Sequence, residues 1–436
     1  MRLILIARHY PPDPAVGSQR ARNVARAFAA AGYDVHVVTR AALPPVAFLT
    51  DPGVTIHPVA SWRSPRELYL AAKASLQRSR GRETPPGLGD GSAVDEPRRT
   101  ISGTIKRWLI AWLWLPDDQQ GFIVPAGRQA RGLLTPDSVL YCTAPPFSPL
   151  LAGRLAVRGR RVPWVVELRD PWTDNHQKPA AMRSRFTDAI DRWLESGCLR
   201  RADLIVPVSE GIARALRAHL AAADQAKLLV VYNGIERLHG RTLSTGRPFR
   251  ILHAGTCSYA RDPRPFFQAL ASVVRERSLG PADIRADFVG ECRYHAGEAM
   301  EPLVLQLGLG GIVHFRDWVA REEALQLMIA ADLHLLLAQE QPDQIPNKLY
   351  DYLGAGGQIL AFADAGGETA RLLVEAEGHF VVVNNDVSTA TAAVGAALTE
   401  RPATTPMARA RLQALTTQQQ MARLVAQVGA LTAGGR

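Results

Sequence analysis

The sequence predicts an α/β protein of two Rossmann-like domains, each built on a doubly wound parallel sheet with helices on both faces. Three observations predict this class: the length, a series of apolar runs alternating with helical patterns, and a second such series in the C-terminal half. At 436 residues the chain exceeds the size at which one hydrophobic core usually keeps growing, so two domains are expected.

The N-terminal series opens with an apolar run at 2–8 that is typical of a buried parallel strand. After a turn-rich segment, apolar residues at helical spacing predict a helix over 19–31, which Gly32 ends. The next strand is predicted at 35–39. The remaining strands of this series are predicted at 139–142, 164–168 and 204–208.

The C-terminal series repeats this architecture without repeating its sequence. Its strands are predicted at 250–254, 286–289, 312–315, 333–338, 359–362 and 380–383. We therefore assign an N-terminal domain to 1–236 and a second domain to 246–405, and we expect the C-terminal helix, 406–436, to pack back toward the first domain. Two such sheets usually face each other and bind ligand at the carboxyl ends of their strands.

Residues 61–127 interrupt the first domain as an insertion. Within it, 101–116 combines three tryptophans with two basic residues and several aliphatic ones. A helix of this content suits a membrane interface, and it suits packing of the tryptophans on the domain equally well. It is too short to span a bilayer.

The charge of the chain is uneven. Residues 1–200 carry 28 Lys and Arg against 17 Asp and Glu, a net charge of +11, whereas the remainder carries 23 against 24. The excess indicates an anionic partner for the first half, such as a membrane surface, a phosphorylated acceptor or nucleic acid. An arginine-rich composition is the alternative, because only five of the 51 basic residues are lysine.

Apolar runs and cysteines bear on location. The opening apolar run is too short for a secretory signal, so we expect the chain in the cytoplasm, with a peripheral position on the inner face of the plasma membrane as an option. The four cysteines, Cys142, Cys198, Cys257 and Cys292, show neither CxxC pairing nor metal-ligand spacing. We interpret them as reduced, buried thiols.

The first strand-to-helix loop lacks the GxGxxG pattern of dinucleotide sites, and the chain has no P-loop motif. Gly17 and Ser18 precede a predicted helix whose first turn holds Arg20 and Arg22. Backbone N–H groups at a helix start can bind an anion such as phosphate.

A stronger group of polar residues lies in 343–361. Asp343 and Asp351 are eight residues apart, and Lys348 lies three before Asp351, on the same face of a helix. Carboxylates suit sugar and ribose hydroxyls, and a lysine suits a diphosphate. Taken alone, the segment also fits an amphipathic helix with a solvated salt bridge.

This spacing resembles the E-x7-E signature of GT-B glycosyltransferases of family 4, with Asp at both Glu positions. Five further segments resemble the family in the same order along the chain, so the resemblance covers most of it apart from 61–127. It implies the GT-B architecture, two facing Rossmann-like domains with an interdomain cleft. It also implies transfer of a sugar from a nucleoside diphosphate sugar to an acceptor hydroxyl, with retention of configuration.

The resemblance implies roles residue by residue. Asp351 would hold the ribose hydroxyls and Asp343 a hydroxyl of the donor sugar. Arg261 and Lys348 would contact the donor diphosphate. Gly17 would let its loop close over the donor. The donor-binding group implied is Gly17, Gly255, Thr256, Arg261, Lys348 and Asp351, with Asp343, Arg261, Lys348 and Asp170 as catalytic candidates.

The chain departs from the family pattern at three places. Thr256 stands where an arginine is expected, so Lys348 or Arg264 would have to replace one cation. Pro346 replaces a glycine whose N–H often binds the donor sugar. The acceptor-site histidine has no counterpart, and we assign acceptor binding or deprotonation to Glu167, Arg169 and Asp170 instead. A structural ion pair of Arg169 with Asp170 is the alternative.

The expected reaction needs neither a metal nor a cofactor beyond the nucleotide sugar. We expect a lipid-linked or glycan acceptor, an anionic membrane surface and no nucleic acid as partners, in synthesis of bacterial cell-surface polysaccharide or glycolipid. A sugar-nucleotide epimerase of the same fold and a non-catalytic nucleotide-sugar binding protein are the alternatives.

Overall fold

The computed structural model describes residues 1–41, 51–65, 67–69, 114–173, 184–239, 246–258, 260–375, 378–399 and 409–433. The predicted tryptophan-rich segment lies outside these residues up to position 113. The described residues form two compact units. Unit 1 contains those of Met1–Val208, Ile212–Val231 and Met421–Arg436, and unit 2 contains those of Ser209–Gly211 and Tyr232–Gln420.

Unit 1 is built on a six-stranded parallel sheet with the order β3-β2-β1-β4-β5-β6. Its strands are β1 Arg2–Ile6, β2 Asp34–Arg40, β3 Val54–Val59, β4 Ser138–Ala144, β5 Trp164–Leu168 and β6 Leu204–Pro207. Five of these were predicted from apolar runs. β3 was not, because Pro58 interrupts its pattern, and its position at the sheet edge is one where proline is tolerated.

Helices cover both faces of the sheet of unit 1. They are α1 Val16–Ala30, α2 Ile123–Leu133, α3 Ser148–Ala156, α4 Arg185–Arg201, α5 Glu210–Arg217, of which the first two residues belong to unit 2, and α6 Ala222–Gln225. Alternate residues of each strand enter opposite cores, as Ile4 and Ile6 of β1 do on one face and Leu3 and Leu5 on the other. Helix α1 begins at Val16, so Gly17 and Ser18 lie in its first turn instead of before it.

Unit 2 repeats the plan, with a six-stranded parallel sheet in the order β11-β8-β7-β12-β13-β14. Its strands are β7 Phe249–Ala254, β8 Ile284–Val289, β11 Val313–Arg316, β12 Leu333–Ala338, β13 Gln358–Ala363 and β14 Phe380–Val382. All six were predicted. A short antiparallel ribbon, β9 Tyr294–His295 with β10 Glu298–Ala299, was not, since two-residue strands leave no periodicity to detect.

The helices of unit 2 flank its sheet in the same way. They are α7 Arg264–Glu276, α8 Met300–Gln306, α9 Arg321–Ala330, α10 Asn347–Ala355, α11 Glu368–Val374, α12 Val387–Thr399 and α13 Arg409–Ala414. The last helix, α14 Thr417–Ala433, starts in unit 2 and continues in unit 1, where Met421, Leu424 and Val428 enter a core with α1 and β1. The α/β class predicted from the sequence is confirmed.

Each sheet has one point where the strand order reverses, between β1 and β4 in unit 1 and between β7 and β12 in unit 2. Loops that leave neighbouring strands in opposite directions open a crevice at such a point, where ligands of this fold class usually bind. Gly17 follows β1 and Gly255 follows β7, so both predicted glycines lie beside these points. Among the residues that the structure describes, no helix is both long and apolar enough to cross a membrane.

Candidate functional site

Helix α10 carries Lys348 and Asp351 and is fastened to the carboxyl edge of the sheet of unit 2. The backbone N–H of Ala254, the last residue of β7, donates to the hydroxyl of Tyr352 at 2.9 Å. The Tyr352 ring stacks on His334 of β12 with centroids 4.6 Å apart. Because Tyr352 is buried, with its hydroxyl hydrogen-bonded and its ring stacked, the turn of α10 that carries Asp351 is anchored to the sheet.

Arg261 joins the loops after β7 and β12. Its Nη1 donates to Thr256 Oγ1 at 3.2 Å and its Nη2 to Gln341 Oε1 at 3.4 Å. Thr256, which stands where the family has an arginine, therefore holds Arg261 in place. Gln341 was missed by the sequence analysis, although its position two residues before Asp343 could have suggested it.

Lys348 and Asp351 form an ion pair on α10, with Nζ 3.4 Å from Oδ2. Their side chains are 38% and 35% exposed, so the pair contributes little to stability and both groups stay accessible to a ligand. Arg264 is different, because Nε and Nη2 bind the carboxylate of Asp262 at 2.8–3.0 Å. Of the two residues proposed to replace the missing cation, Lys348 is the better placed.

Asp343 lies in the loop before α10, and its backbone is held by contacts with Ser209 and Gly211. Its carbonyl oxygen accepts a hydrogen bond from Ser209 Oγ at 2.6 Å. A Cβ on Gly211 would lie 2.5 Å from the Cα of Asp343, so only glycine fits there. Both partners belong to unit 2.

A carboxylate that the sequence analysis missed fixes the start of the same loop. Asp364, directly after β13, accepts from the N–H of Glu340 at 3.1 Å and from the N–H of Gln341 at 2.6 Å. Glu340 has φ of 55°, which is uncommon for a residue with a side chain. Asp364 thus holds the backbone that presents Gln341 to Arg261.

The polar centre of unit 1 surrounds Glu167, whose side chain is fully buried. Its carboxylate accepts from Arg20 Nε at 2.9 Å, from the Tyr141 hydroxyl at 2.7 Å and from Thr143 Oγ1 at 2.7 Å. Arg20 is itself only 5% exposed and also donates to the carbonyl of Val231. Glu167 and Arg20 therefore form a buried ion pair within the domain.

This environment decides the charge of Glu167. Burial alone would raise its pKa, but the charge of Arg20 and the hydrogen bonds from Arg20, Tyr141 and Thr143 outweigh burial and lower the pKa. A carboxylate of lowered pKa with both oxygens occupied is a poor proton acceptor, so the geometry gives no support to Glu167 as an acceptor-site group. The suggested anion site at Arg20 and Arg22 also lacks support, because Arg22 binds Asp51 through two hydrogen bonds of 2.8 and 2.9 Å.

Arg169 lies against the first turn of α1. A Cβ on Gly17 would lie 1.8 Å from Arg169 Nη1, so the guanidinium occupies the space of the missing side chain. Its Nη2 donates to the carbonyl of Pro145, while its buried Nε has no hydrogen-bond partner among the described residues. Burial lowers the pKa of Arg169. The structure therefore brings together Gly17 and Arg169, which the sequence analysis had assigned to donor and acceptor separately.

We expect Gly17→Ala to displace the Arg169 guanidinium and to lower the free energy of unfolding by about 0.5–1.5 kcal/mol, because the arginine side chain must move away from the added methyl group. Adding Arg169→Ala should return much of that stability, since the added methyl group then meets no obstacle. Thermal unfolding of the two single variants and the double variant measures the coupling.

Gly132→Ala is the matched control. This glycine is also helical and in unit 1, but an added Cβ would meet nothing within 4 Å. It should leave stability unchanged or raise it by up to about 1 kcal/mol. Equal losses at positions 17 and 132, or additive effects of Gly17→Ala and Arg169→Ala, would contradict the contact.

The loop after β1 contains a pair of polar residues that the sequence analysis missed. His9 Nδ1 and Asp13 Oδ2 are 2.6 Å apart, and Asp13 Oδ1 accepts from the N–H of Ala15. Burial lowers the pKa of His9 against the opposing effect of Asp13, which favours the neutral ring near pH 7. The sequence could have indicated this pair, because both residues lie in the short loop between the end of β1 and the start of α1. Polar residues that follow parallel strands gather at the carboxyl edge of the sheet.

Comparison with known proteins identifies a family whose model matches the chain. A model described as the glycosyl transferase 4-like domain matches residues 17–234, half of the chain. Among curated protein sequences, none matches the chain.

Solved structures share the fold over nearly the whole length. The chain is similar to sucrose-phosphate synthase from Thermosynechococcus elongatus, with TM-score 0.63, 16% identity and 99% of each chain covered. It is similar to HepE from Anabaena in complex with UDP and glucose, with TM-score 0.60, 15% identity and 99% of each chain covered. For a UDP-forming α,α-trehalose-phosphate synthase from Burkholderia vietnamiensis, the TM-score is 0.58 at 13% identity, covering 99% of this chain and 100% of that one.

Proposed function

The chain belongs to the glycosyl transferase 4-like family and has the GT-B fold, and we propose that it moves a sugar from a nucleoside diphosphate sugar to an acceptor hydroxyl with retention of configuration. The observation that carries the donor assignment is the arrangement around Arg261. Two loops that leave the sheet at its reversal point hold this guanidinium between Thr256 and Gln341, and α10 presents Lys348 and Asp351 at the same edge.

The chemistry of these groups suits a nucleoside diphosphate sugar. Arg261 and Lys348 bind the diphosphate, because hydrogen bonds between charged groups are stronger than neutral ones. Asp351 binds the ribose hydroxyls and Asp343 a hydroxyl of the sugar. Gly255 and Thr256 line the loop at which the diphosphate lies. HepE has been solved with UDP and with UDP-glucose, which supports a donor of this class for the shared fold.

In the proposed reaction, the bond from the anomeric carbon to the diphosphate oxygen breaks while the acceptor oxygen bonds to that carbon on the same face. The acceptor proton passes to the departing phosphate oxygen. Arg261 and Lys348 stabilise the negative charge that develops on the diphosphate. No metal is required for this step.

On the acceptor side, Arg169 and Asp170 remain the proposed binding residues, and His9 joins them. When Nδ1–H of His9 donates to Asp13, Nε2 keeps a lone pair. This lone pair can accept a hydrogen bond from the hydroxyl of the sugar acceptor and so orient that hydroxyl. The positive charge of the first 200 residues favours an acceptor that is lipid-linked at an anionic membrane surface. We propose synthesis of bacterial cell-surface polysaccharide or glycolipid as the setting, on the cytoplasmic side of the membrane.

The role of His9 predicts a pH dependence. Only the neutral ring accepts a hydrogen bond, and burial lowers the pKa of His9 from 6.5, so the acid limb of kcat/KM for the acceptor should lie below pH 6.5. Asp13 opposes this shift, so Asp13→Asn should move the limb to still lower pH. Rate profiles of both proteins between about pH 5 and 8 measure it. A limb that His9→Gln leaves in place would exclude His9 as its source.

A donor screen tests the function itself. Thermal shift with UDP-, GDP-, ADP- and TDP-sugars identifies the donor, and proton NMR of the product formed with lipid extracts gives the anomeric configuration. Retention with release of the nucleoside diphosphate is expected. A new free nucleotide sugar formed without acceptor would indicate an epimerase, inversion would reject the mechanism, and binding without turnover would indicate a binding protein.

A further inference from the structure

Unit 2 contains a buried group of three soft ligands, His253, Cys257 and Cys292. The three residues are 4%, 0% and 0% exposed. The imidazole nitrogen and the two sulfur atoms lie within 4.8 Å of one another. The proposed transfer reaction uses none of them.

Adjacent parallel strands bring the group together. His253 lies on β7 opposite Phe288 of β8, and Cys257 and Cys292 follow the ends of these strands. The two segments continue side by side, since the N–H of Cys257 donates to the carbonyl of Glu291 at 3.0 Å. The distance between the cysteines in sequence hides this proximity, which explains why their spacing suggested no metal site.

The imidazole of His253 is oriented as a metal ligand would be. Its Nδ1 lies 3.0 Å from the carbonyl oxygen of Leu335, so Nδ1–H donates and Nε2 carries the lone pair. Nε2 is buried and has no hydrogen-bond partner in the described part of the chain. Leaving such an atom unpaired costs about 1–3 kcal/mol, whereas an N–H to carbonyl bond behind it is the usual support of a ligating histidine.

We propose that His253, Cys257 and Cys292 bind a soft divalent cation, Zn²⁺ first, at a structural site. Tetrahedral zinc with Zn–S of about 2.3 Å and Zn–N of about 2.0 Å places its ligand atoms roughly 3.5–3.8 Å apart. The group reaches that spacing with a contraction of about 1 Å from its upper limit. Binding releases one proton from each thiol to solvent, and two thiolates with a neutral imidazole balance the ion.

The fourth ligand has a candidate in the same place. The carbonyl oxygen of Gly255 lies 3.4 Å from Cys292 Sγ, and a water molecule is the alternative. A bound ion would fasten the loop that begins at Gly255, which carries Thr256 and Arg261, to the end of β8. The site therefore supports the geometry of this loop, and its existence does not depend on the proposed reaction.

A disulfide between Cys257 and Cys292 is the competing use of the two thiols. It would leave Nε2 of His253 without a partner, whereas a metal uses all three groups. The same measurements separate the two, because a disulfide blocks both metal binding and alkylation of the thiols.

The test is metal content of the full chain, purified without a histidine tag from zinc-supplemented cells. Mass spectrometry of the metal should find one zinc per chain, and Cys257→Ser, Cys292→Ser and His253→Gln should each lose most of it. Cys142→Ser and Cys198→Ser, which change buried cysteines of unit 1, should keep it. Equal zinc in all five variants, or none in the wild type, would overturn the proposal.

Cobalt keeps the test valid if a variant folds poorly. Wild-type protein stripped with a chelator and then titrated with Co²⁺ should show a cobalt–thiolate charge-transfer band that saturates at one equivalent and disappears on addition of zinc. Absence of that band from chelator-treated protein whose circular dichroism shows it folded, or a Cys257–Cys292 disulfide in non-reducing peptide mapping, would equally reject the site.

Discussion

Glu167→Ala is expected to destabilise the protein by about 3–5 kcal/mol, the usual cost of removing one partner of a buried ion pair. The variant leaves the guanidinium of Arg20 without its carboxylate in a site that is 5% exposed. It also removes the acceptor of the Tyr141 and Thr143 hydroxyls. The loss of stability comes mainly from leaving these buried groups without a hydrogen-bond acceptor. The lost attraction between Glu167 and Arg20 contributes the smaller part.

Asp34→Ala is the matched control for this prediction. Asp34 pairs with Arg2 in the same unit at 2.8 Å, close to the Arg20–Glu167 distance, but their side chains are 54% and 31% exposed. The loss should stay under about 1 kcal/mol. Urea unfolding of both variants compares them, and similar losses would show that burial does not set the strength of the Glu167 pair.

The Glu167 pair also predicts a dependence of stability on pH. Folding lowers the pKa of the Glu167 carboxyl group from 4.5. The stabilisation that this carboxylate contributes is therefore complete above pH 4.5 and is lost as the pH falls through the lowered pKa. Urea unfolding repeated at decreasing pH should show a smaller difference between wild type and Glu167→Ala. A difference that grew on acidification would contradict the direction of the shift.

Arg261→Ala is expected to weaken donor binding by 1.5–3 kcal/mol, or about 10- to 150-fold in Kd, the range for a hydrogen bond that involves a charge. Thr256→Val keeps the shape of its residue but removes the hydroxyl that accepts from Arg261 and from Ser258, so Arg261 stays in place with less support and we expect a smaller effect of about fivefold. Isothermal titration with the nucleoside diphosphate and with the full donor measures both variants.

Arg264→Ala provides the comparison for Arg261. It removes an arginine from the same segment, but one whose guanidinium binds Asp262. Donor affinity should change by less than about twofold, as expected for a group that does not touch the ligand. If both arginines proved equally important, net charge would explain the binding better than the position of Arg261.

Most of the fold could be predicted from the sequence because buried parallel strands are nearly continuous apolar runs. Eleven of the 12 strands of the two large sheets were found in this way. The exception, β3, is an edge strand with Pro58 in it. The start of α1 was placed three residues late because the helix begins at Val16, ahead of Gly17 and Ser18, without a capping side chain.

The candidate site was predictable where its residues are close in sequence, as Lys348 and Asp351 are. Partners that neighbouring strands bring together leave no such trace. Gln341 reaches Arg261 across two loops, and Asp364 reaches the loop after β12 from the next strand. The family resemblance suggested Glu167 as an acceptor-site residue, yet only the structure shows that its carboxylate is paired with Arg20.

The close approach of Arg169 to Gly17 has an evolutionary consequence. A side chain at position 17 and a long side chain at position 169 compete for one volume, so neither position can drift alone. Homologues with alanine or serine at the first should carry a shorter residue at the second, and the two columns of an alignment should covary. Mutational histories that pass through the incompatible combination should be rare.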